Sequence, residues 1–368
     1  MEDKKKATRA RNTSIDIAKT IAFLGMSVLS YILIFNGSMV LESIPMIILH
    51  GKFTGALFFL LGVSFFLMVK KYVRYGNMPK LSKIRNQVIY RSLFFIILGY
   101  LLFAFWPNDI LHIYGIFIII GIIVMNSKST VLWSISFLLI AGFAILFGAM
   151  EFPSDWYDLT NSPVQTFSPK YQISKILYLG KYSVVPYAAF FILGIWYSGL
   201  KLTKPETHLL VFRIALPVFI ILEIGSLIFK NYIPQLEIGD FEWLVRLLST
   251  TQSNPPLPLF VISTLAFSLS LASGSYLLKE KFDGNSLIKI LERGGRMLFT
   301  LLVFQALLGI LTLNIFSEVL LQSIGFTIIF NVLFVFLSIT IVLFMSISNR
   351  RGPIEGLMRS FTGYKKKK

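Results

Sequence analysis

The sequence predicts an all-α protein, a polytopic transmembrane bundle of about ten helices with both termini cytoplasmic. Three observations predict it. Of the 368 residues, 55% are hydrophobic and 14% charged, with a mean hydropathy of +0.73; an average soluble domain carries about 25% charged residues. Apolar runs of roughly 20 residues recur along the chain, the length that crosses a hydrocarbon core as a helix. The positive charges, moreover, fall on alternate connections between those runs. Together these features exclude an ordinary soluble protein, a secreted disulfide scaffold and a disordered chain. The lack of Cys removes thiolate catalysis, iron–sulfur clusters and Cys-based zinc sites as well.

Taken in order, the spans read as 14–35, 44–69, 88–106, 110–125, 131–149, 184–200, 208–229, 257–278, 297–316 and 324–347. Each must be helical, because a backbone in lipid has to satisfy its own hydrogen bonds. The first run is too long for the apolar region of a signal peptide, and no small-residue cleavage site comes after it. Spans three and four are joined by Pro107-Asn108-Asp109, a tight turn in which Asn108 suits a helix N-cap. Most connections are short, but 150–183 and 230–256 are long, and long loops in a compact bundle are commonly functional or disordered. Trp156 and Tyr157 beside Asn161 suit sugar stacking, but the interfacial aromatic belt is the more ordinary reading for any one of them. The chain therefore divides into a basic N-terminus (1–13), the bundle (14–348, with outer loops 150–183 and 230–256) and a basic tail (349–368). No solenoid repeat and no inverted duplication is legible in it.

With the N-terminus in the cytoplasm, 27 of the 35 Lys and Arg fall on the cytoplasmic side and six on the other. That bias follows the positive-inside rule and supports an even number of spans. The net charge of +17 is thus a topology signal and a contact with anionic lipid, not a nucleic-acid surface.

Ionisable groups inside spans are costly and count as functional hypotheses. Asp16 and Lys19 lie one turn apart at the start of span one, as a site or as a self-neutralising pair. His50 and Lys52 open span two on the outer side, beside Gly51 and Gly55. Asp109 and His112 open span four, again one turn apart. Glu223 lies within span seven and needs a partner. Gln305 and Asn331, in spans nine and ten, suit bonds across helices. There are three His; His208 sits in a cytoplasmic connection and reads as solvated. His50 or His112 could act as a general base at neutral pH, and an interfacial structural role is open to each. No phosphate-binding glycine loop and no HExxH metal motif is present.

Several motifs carry a resemblance. The stretch from Arg11 through Asp16 to Lys19 is similar to the "R-x-x-S-x-D-x-x-R-G" opening of transmembrane acyltransferases, with Lys19 and Thr20 where that pattern has Arg-Gly. The segment Gly51–Gly62 resembles the second conserved segment of those proteins. Asn108–Gly115 resembles the "DILHIYA" element of the YeiB-like bacterial membrane proteins. Gly295–Gln305 is similar to their "GRMALTNYLLQS", and Arg351–Thr362 to their closing "GPLEWLWRxxT". Val185–Gly194 and Asn254–Leu257 resemble elements of the heparan-α-glucosaminide N-acetyltransferase relatives. The resemblance implies a multi-pass protein of a bacterial cytoplasmic membrane. It also implies an acetyl or other acyl group moved from cytosolic acyl-CoA to an amino sugar or glycan hydroxyl outside. In the heparan relatives a His just outside span one or early in the second region is catalytic, preceded by an Asn at the outer end of span one. His50 matches that His, with Ser30 or Asn36 near the Asn.

For the donor, Arg11, Arg85, Arg91, Arg293 and Arg296 cluster at cytoplasmic helix ends, where guanidinium groups bind phosphates in a bidentate way. The positive-inside rule accounts for the same arginines. The partners expected are the bilayer, an acyl-CoA and a carbohydrate acceptor, with no metal and no nucleic acid; a homodimer is left open. The alternative class is a transporter or flippase using Asp16/Lys19, Glu223 and Asp109/His112 as an ion path. A third, a structural scaffold, predicts no cavity.

Overall fold

The computed structural model describes residues 13–37, 43–74, 78–106, 109–149, 177, 182–200, 204–232, 245, 249–347 and 352–362. Among the described residues there is no strand, only helices. The first seven are α1 (Thr13–Asn36), α2 (Ile44–Leu49), α3 (Lys52–Arg74), α4 (Met78–Phe103), α5 (Leu111–Val124), α6 (Ser129–Ala149) and α7 (Val184–Gly199). After them come α8 (Pro205–Tyr232), α9 (Pro258–Lys281), α10 (Ser286–Arg296), α11 (Leu298–Ile315), α12 (Glu318–Leu321), α13 (Ile324–Ile347) and α14 (Pro353–Phe361).

Among the described residues eight stretches are long and apolar enough to cross a membrane: α1, α2 with α3, α4, α6, α8, α9, α11 and α13. The other two expected spans are shorter helices, α5 with 14 residues and α7 with 16. At about 1.5 Å per residue they measure about 21–24 Å against a hydrocarbon core of about 30 Å. Both are largely buried. Span two is not one helix. It breaks at His50-Gly51, where Gly51 has φ +79° and a side chain there would overlap Ser253. The connection expected across 70–86 is mostly helical, because α3 runs on to Arg74 and α4 starts at Met78. The short amphipathic helices α10 and α14 escape a hydropathy reading, since their apolar positions alternate with charges.

At the centre lie α1, α3, α7 and α9. Between membrane helices, close packing of small residues supplies much of the attraction. Gly62 of α3 and Gly194 of α7 meet reciprocally: a Cβ on either would run into a backbone carbonyl, that of Phe191 or of Phe59. The buried Ser263, Thr264, Ser268, Ser270, Ser273 and Ser275 keep α9 slim against its neighbours. Facing outward, α6, α8 and α13 carry exposed Phe137, Ile145, Ile221, Ile228, Ile329 and Phe336, an apolar perimeter suited to lipid.

Both described ends of the chain come to one end of the bundle. Thr13 of α1 meets Lys279 at the end of α9, and α14 docks on the start of α11. Lys19, Arg91, Arg293, Arg296 and Arg359 gather at this same end; we call it the basic end. His50, Lys52, Asn36 and Ser253 lie at the opposite end, reached by following α1 and α3 away from it.

Candidate functional site: a basic-end cavity and a buried polar cluster

At the basic end a cavity of about 1180 Å³ opens between α1, α3, α4, α5, α10, α11, α13 and α14. Its mouth is cationic: Lys19, Arg91, Arg293, Arg296 and Arg359 line it. Deeper in, the walls are Leu57, Leu61 and Phe65 of α3, Phe95 of α4, and Tyr114 and Ile118 of α5. Anionic and apolar parts of one molecule would thus find separate surroundings.

The mouth is built by a charge network. Lys19 pairs with Asp16 at 3.5 Å, and Arg296 reaches Asp16 at 3.8 Å and Glu292 at 3.7 Å. Glu292 also takes Lys279 at 3.0 Å. Burial would lift the Glu292 carboxyl, but bonds from Thr13 and Lys279 and the nearby Arg296 outweigh it and hold the group below its ordinary value. Asp16 and Lys19 are therefore partly the self-neutralising pair that their spacing allows, with Arg296 drawn in. Helix α10 is clamped to α1 by Thr20 Oγ1, which donates to the Leu291 carbonyl at 2.6 Å. Arg91 points its guanidinium at two thioether sulfurs, Met358 at 3.0 Å and Met68 at 3.1 Å. Thioethers are weak acceptors.

Helix α14 forms part of the wall. Its Glu355 takes up the N–H groups of Phe299 (2.8 Å) and Thr300 (3.2 Å), which the start of α11 would otherwise leave unpaired, and the Thr300 hydroxyl at 2.5 Å. Despite these donors, burial keeps the Glu355 carboxyl above its ordinary value.

The opposite end holds a buried polar cluster. Lys52 is fully buried, 0% exposed. Its ammonium lies 2.8 Å from Glu223 of α8, donates to the Thr251 carbonyl at 2.7 Å and sits 4.6 Å over the Phe260 ring. Glu223 accepts from Thr251 Oγ1 at 2.8 Å and from Ser263 Oγ. Ser226 accepts from the Thr251 N–H at 3.1 Å. Through these bonds α3 and α8 hold Thr251, and Ser263 of α9 joins the cluster at Glu223. Farther along the chain, Ser253 Oγ lies 2.8 Å from His50 Nδ1. A hollow of about 10 Å³, one water at most, lies beside His50, lined also by Ser30, Thr54, Tyr182, Tyr187 and Ser253.

The remaining site residues fall elsewhere. His112 lies 3.5 Å from Asp109, between the rings of Tyr100 (5.3 Å) and Phe103 (5.0 Å), and Asp109 accepts the Leu111 N–H at 2.9 Å. Neither lines the cavity or the hollow. Asn108, expected as the cap of this helix, lies outside the described residues; the cap position is Ile110, and the side-chain acceptor for the helix start is Asp109. Gln305 is a tie between α1 and α11, taking Ser27 Oγ at 3.0 Å on its side chain and Tyr31 OH at 2.6 Å on its carbonyl. Asn36 binds Thr327 Oγ1 at 2.7 Å, while Ser30 stays at the hollow. His208, expected to be solvated, is buried and stacks on Tyr276 at 3.8 Å. Of the five arginines expected at a donor site, Arg91, Arg293 and Arg296 line the cavity. Arg85 is exposed and does not, and Arg11 lies outside the described residues, as do Trp156, Tyr157 and Asn161. Among the described residues no group of three or more His, Asp or Glu is arranged to hold a metal ion.

Fold and perimeter define an integral, multi-pass membrane protein. Residues 256–365 match a family model described as "Protein of unknown function (DUF418)". No curated protein and no solved structure matches the chain. The matched stretch runs from α9 to α14 and supplies Arg293, Arg296, Glu355 and Arg359 to the cavity.

Proposed function

We propose that the chain is a membrane-embedded acyltransferase of the YeiB-like kind, with ten crossings and its basic end in the cytoplasm. It takes an acetyl or other acyl group from cytosolic acyl-CoA and delivers it to an amino sugar or glycan hydroxyl at the far side. One observation carries this reading: the cavity of about 1180 Å³ joins a guanidinium-lined mouth to an apolar interior, the two surroundings that a phosphorylated, thioester-bearing donor requires. Arg91, Arg293, Arg296 and Arg359 would bind its phosphates, and the acyl arm would run along α3.

The same helix leads to His50. Leu57 lines the cavity and Thr54 the hollow beside His50, one turn and about 4.5 Å of axial rise apart. In the proposed step the His50 ring takes the proton of the acceptor amine or hydroxyl as its lone pair attacks the thioester carbonyl. The tetrahedral intermediate then collapses, the C–S bond breaks, and the proton leaves with the CoA thiol. Ser253 at Nδ1 would fix the orientation of the ring. The packed rings of Phe58, Tyr114 and Tyr187, with centroids 5.6 Å apart on either side of Phe58, separate cavity from hollow. They would have to part for transfer.

Purified protein incubated with radiolabelled acetyl-CoA and a panel of amino sugars should transfer label to a glycan. A transporter is supported by the one-sided cavity and the ion pair Lys52–Glu223 within the bundle. It would instead move the candidate acceptor into proteoliposomes without acyl-CoA and without modifying it. A scaffold would have no use for the cavity.

A further inference from the structure

Tyr114 stands out in the cavity wall. It is 1% exposed, and its ring packs against Phe58 (5.6 Å) and edge-on against Phe299 (6.0 Å). Its hydroxyl is buried and has no hydrogen-bond partner among the described residues. Leaving such a group unpaired carries a full desolvation penalty. Packing gives no reason for it, since its ring neighbours are Phe58 and Phe299 and a Phe at this position would fill the same space. Elsewhere in the bundle tyrosine hydroxyls are used: Tyr31 donates to the Gln305 carbonyl and Tyr197 pairs with Ser273.

We infer that Tyr114 is a ligand-binding donor whose hydroxyl pairs with an acceptor oxygen at the buried end of the molecule that fills the cavity. Three observations meet here: Tyr114 lines the cavity, it lies at the apolar end away from the cationic mouth, and its hydroxyl lacks a partner among the described residues. A ligand ending in plain hydrocarbon would leave that hydroxyl unpaired; one ending in a carbonyl would satisfy it. Resting on the donor reading above, the inference assigns this oxygen to the acyl carbonyl and makes Tyr114 a positioning residue for the thioester.

The test compares acetyl-CoA with S-ethyl-CoA, a thioether of nearly the same shape without the carbonyl, on the parent and on Tyr114→Phe. Binding is titrated in detergent at fixed salt, and the melting temperature of the empty protein is recorded. The parent should prefer acetyl-CoA over S-ethyl-CoA by about five- to tenfold. Tyr114→Phe should melt no lower than the parent, because it discards an unpaired polar group, and should lose that preference. A variant that keeps the full preference overturns the inference while the donor reading stands. A parent that binds both compounds equally does the same without any variant, so a Tyr114→Phe protein that fails to fold does not spare the idea. Should the parent bind neither compound, the donor reading falls and the inference falls with it.

Discussion

Lys52 and Glu223 bring opposite charges into the interior, where desolvation is expensive and a lost partner is worse. Lys52→Met should therefore destabilise the protein by about 3–5 kcal/mol, since it strands the Glu223 carboxylate. The double variant Lys52→Met/Glu223→Leu should recover much of that loss, and thermal melting of the three proteins measures it. The two outer histidines divide differently. His50 faces Ser253 and the hollow, so His50→Ala should cut acyl transfer by about 10²–10⁴-fold at matched folded protein. His112 packs between Tyr100 and Phe103 and reaches neither the cavity nor the hollow, so His112→Ala should lower the melting temperature and keep most of the turnover. Full turnover in His50→Ala would remove the base from the proposed chemistry.

At the scale of elements, the docking of α14 has a pH dependence whose sign can be worked out. The Glu355 carboxyl is raised above its ordinary value by burial, so the docked helix favours the protonated form. Its contribution is full below the ordinary carboxylate value and declines as pH rises through the raised one. Glu292 behaves oppositely. Held below its ordinary value, it supports the contact of α1, α9 and α10 above that value and loses it on acidification. Hydrogen exchange tracked from pH 4 to pH 8 should show residues 353–361 exchanging faster, relative to the rest of the bundle, as pH rises. In Glu355→Gln that trend should vanish, because the group no longer titrates; an unchanged trend would place its cause elsewhere.

For the whole molecule the prediction concerns the sidedness of the two ends. Asp283 comes after α9 at the basic end, and Gln322 precedes α13 at the opposite end; both are exposed. In a chain without Cys, Asp283→Cys and Gln322→Cys should react with an impermeant maleimide from opposite faces of the membrane, Asp283→Cys from the cytoplasmic face. Reaction of both from one face would overturn the crossing order, and reversal of the two would overturn the orientation.

The all-helical membrane class and the eight longer spans are legible in the chain alone. A hydrocarbon solvent imposes a run length that hydropathy reports directly, so the apolar run 324–347 and helix α13 coincide. The gathering of arginines is legible in part, because the charge pattern assigns most Lys and Arg to one side and Arg293 and Arg296 stand at a helix end. Pairing across the bundle is not. Nothing local tells Glu223 that its partner is Lys52, or Ser253 that it will face His50. Those meetings depend on how α3, α8 and α9 pack, and the packing rests on glycine crossings and serine faces that carry no hydropathy signal. The cavity is of the same kind. Lys19, Arg91, Arg296 and Arg359 come from four helices, and only the docking of α10 and α14, two amphipathic helices with weak apolar patterns, turns scattered charges into one mouth.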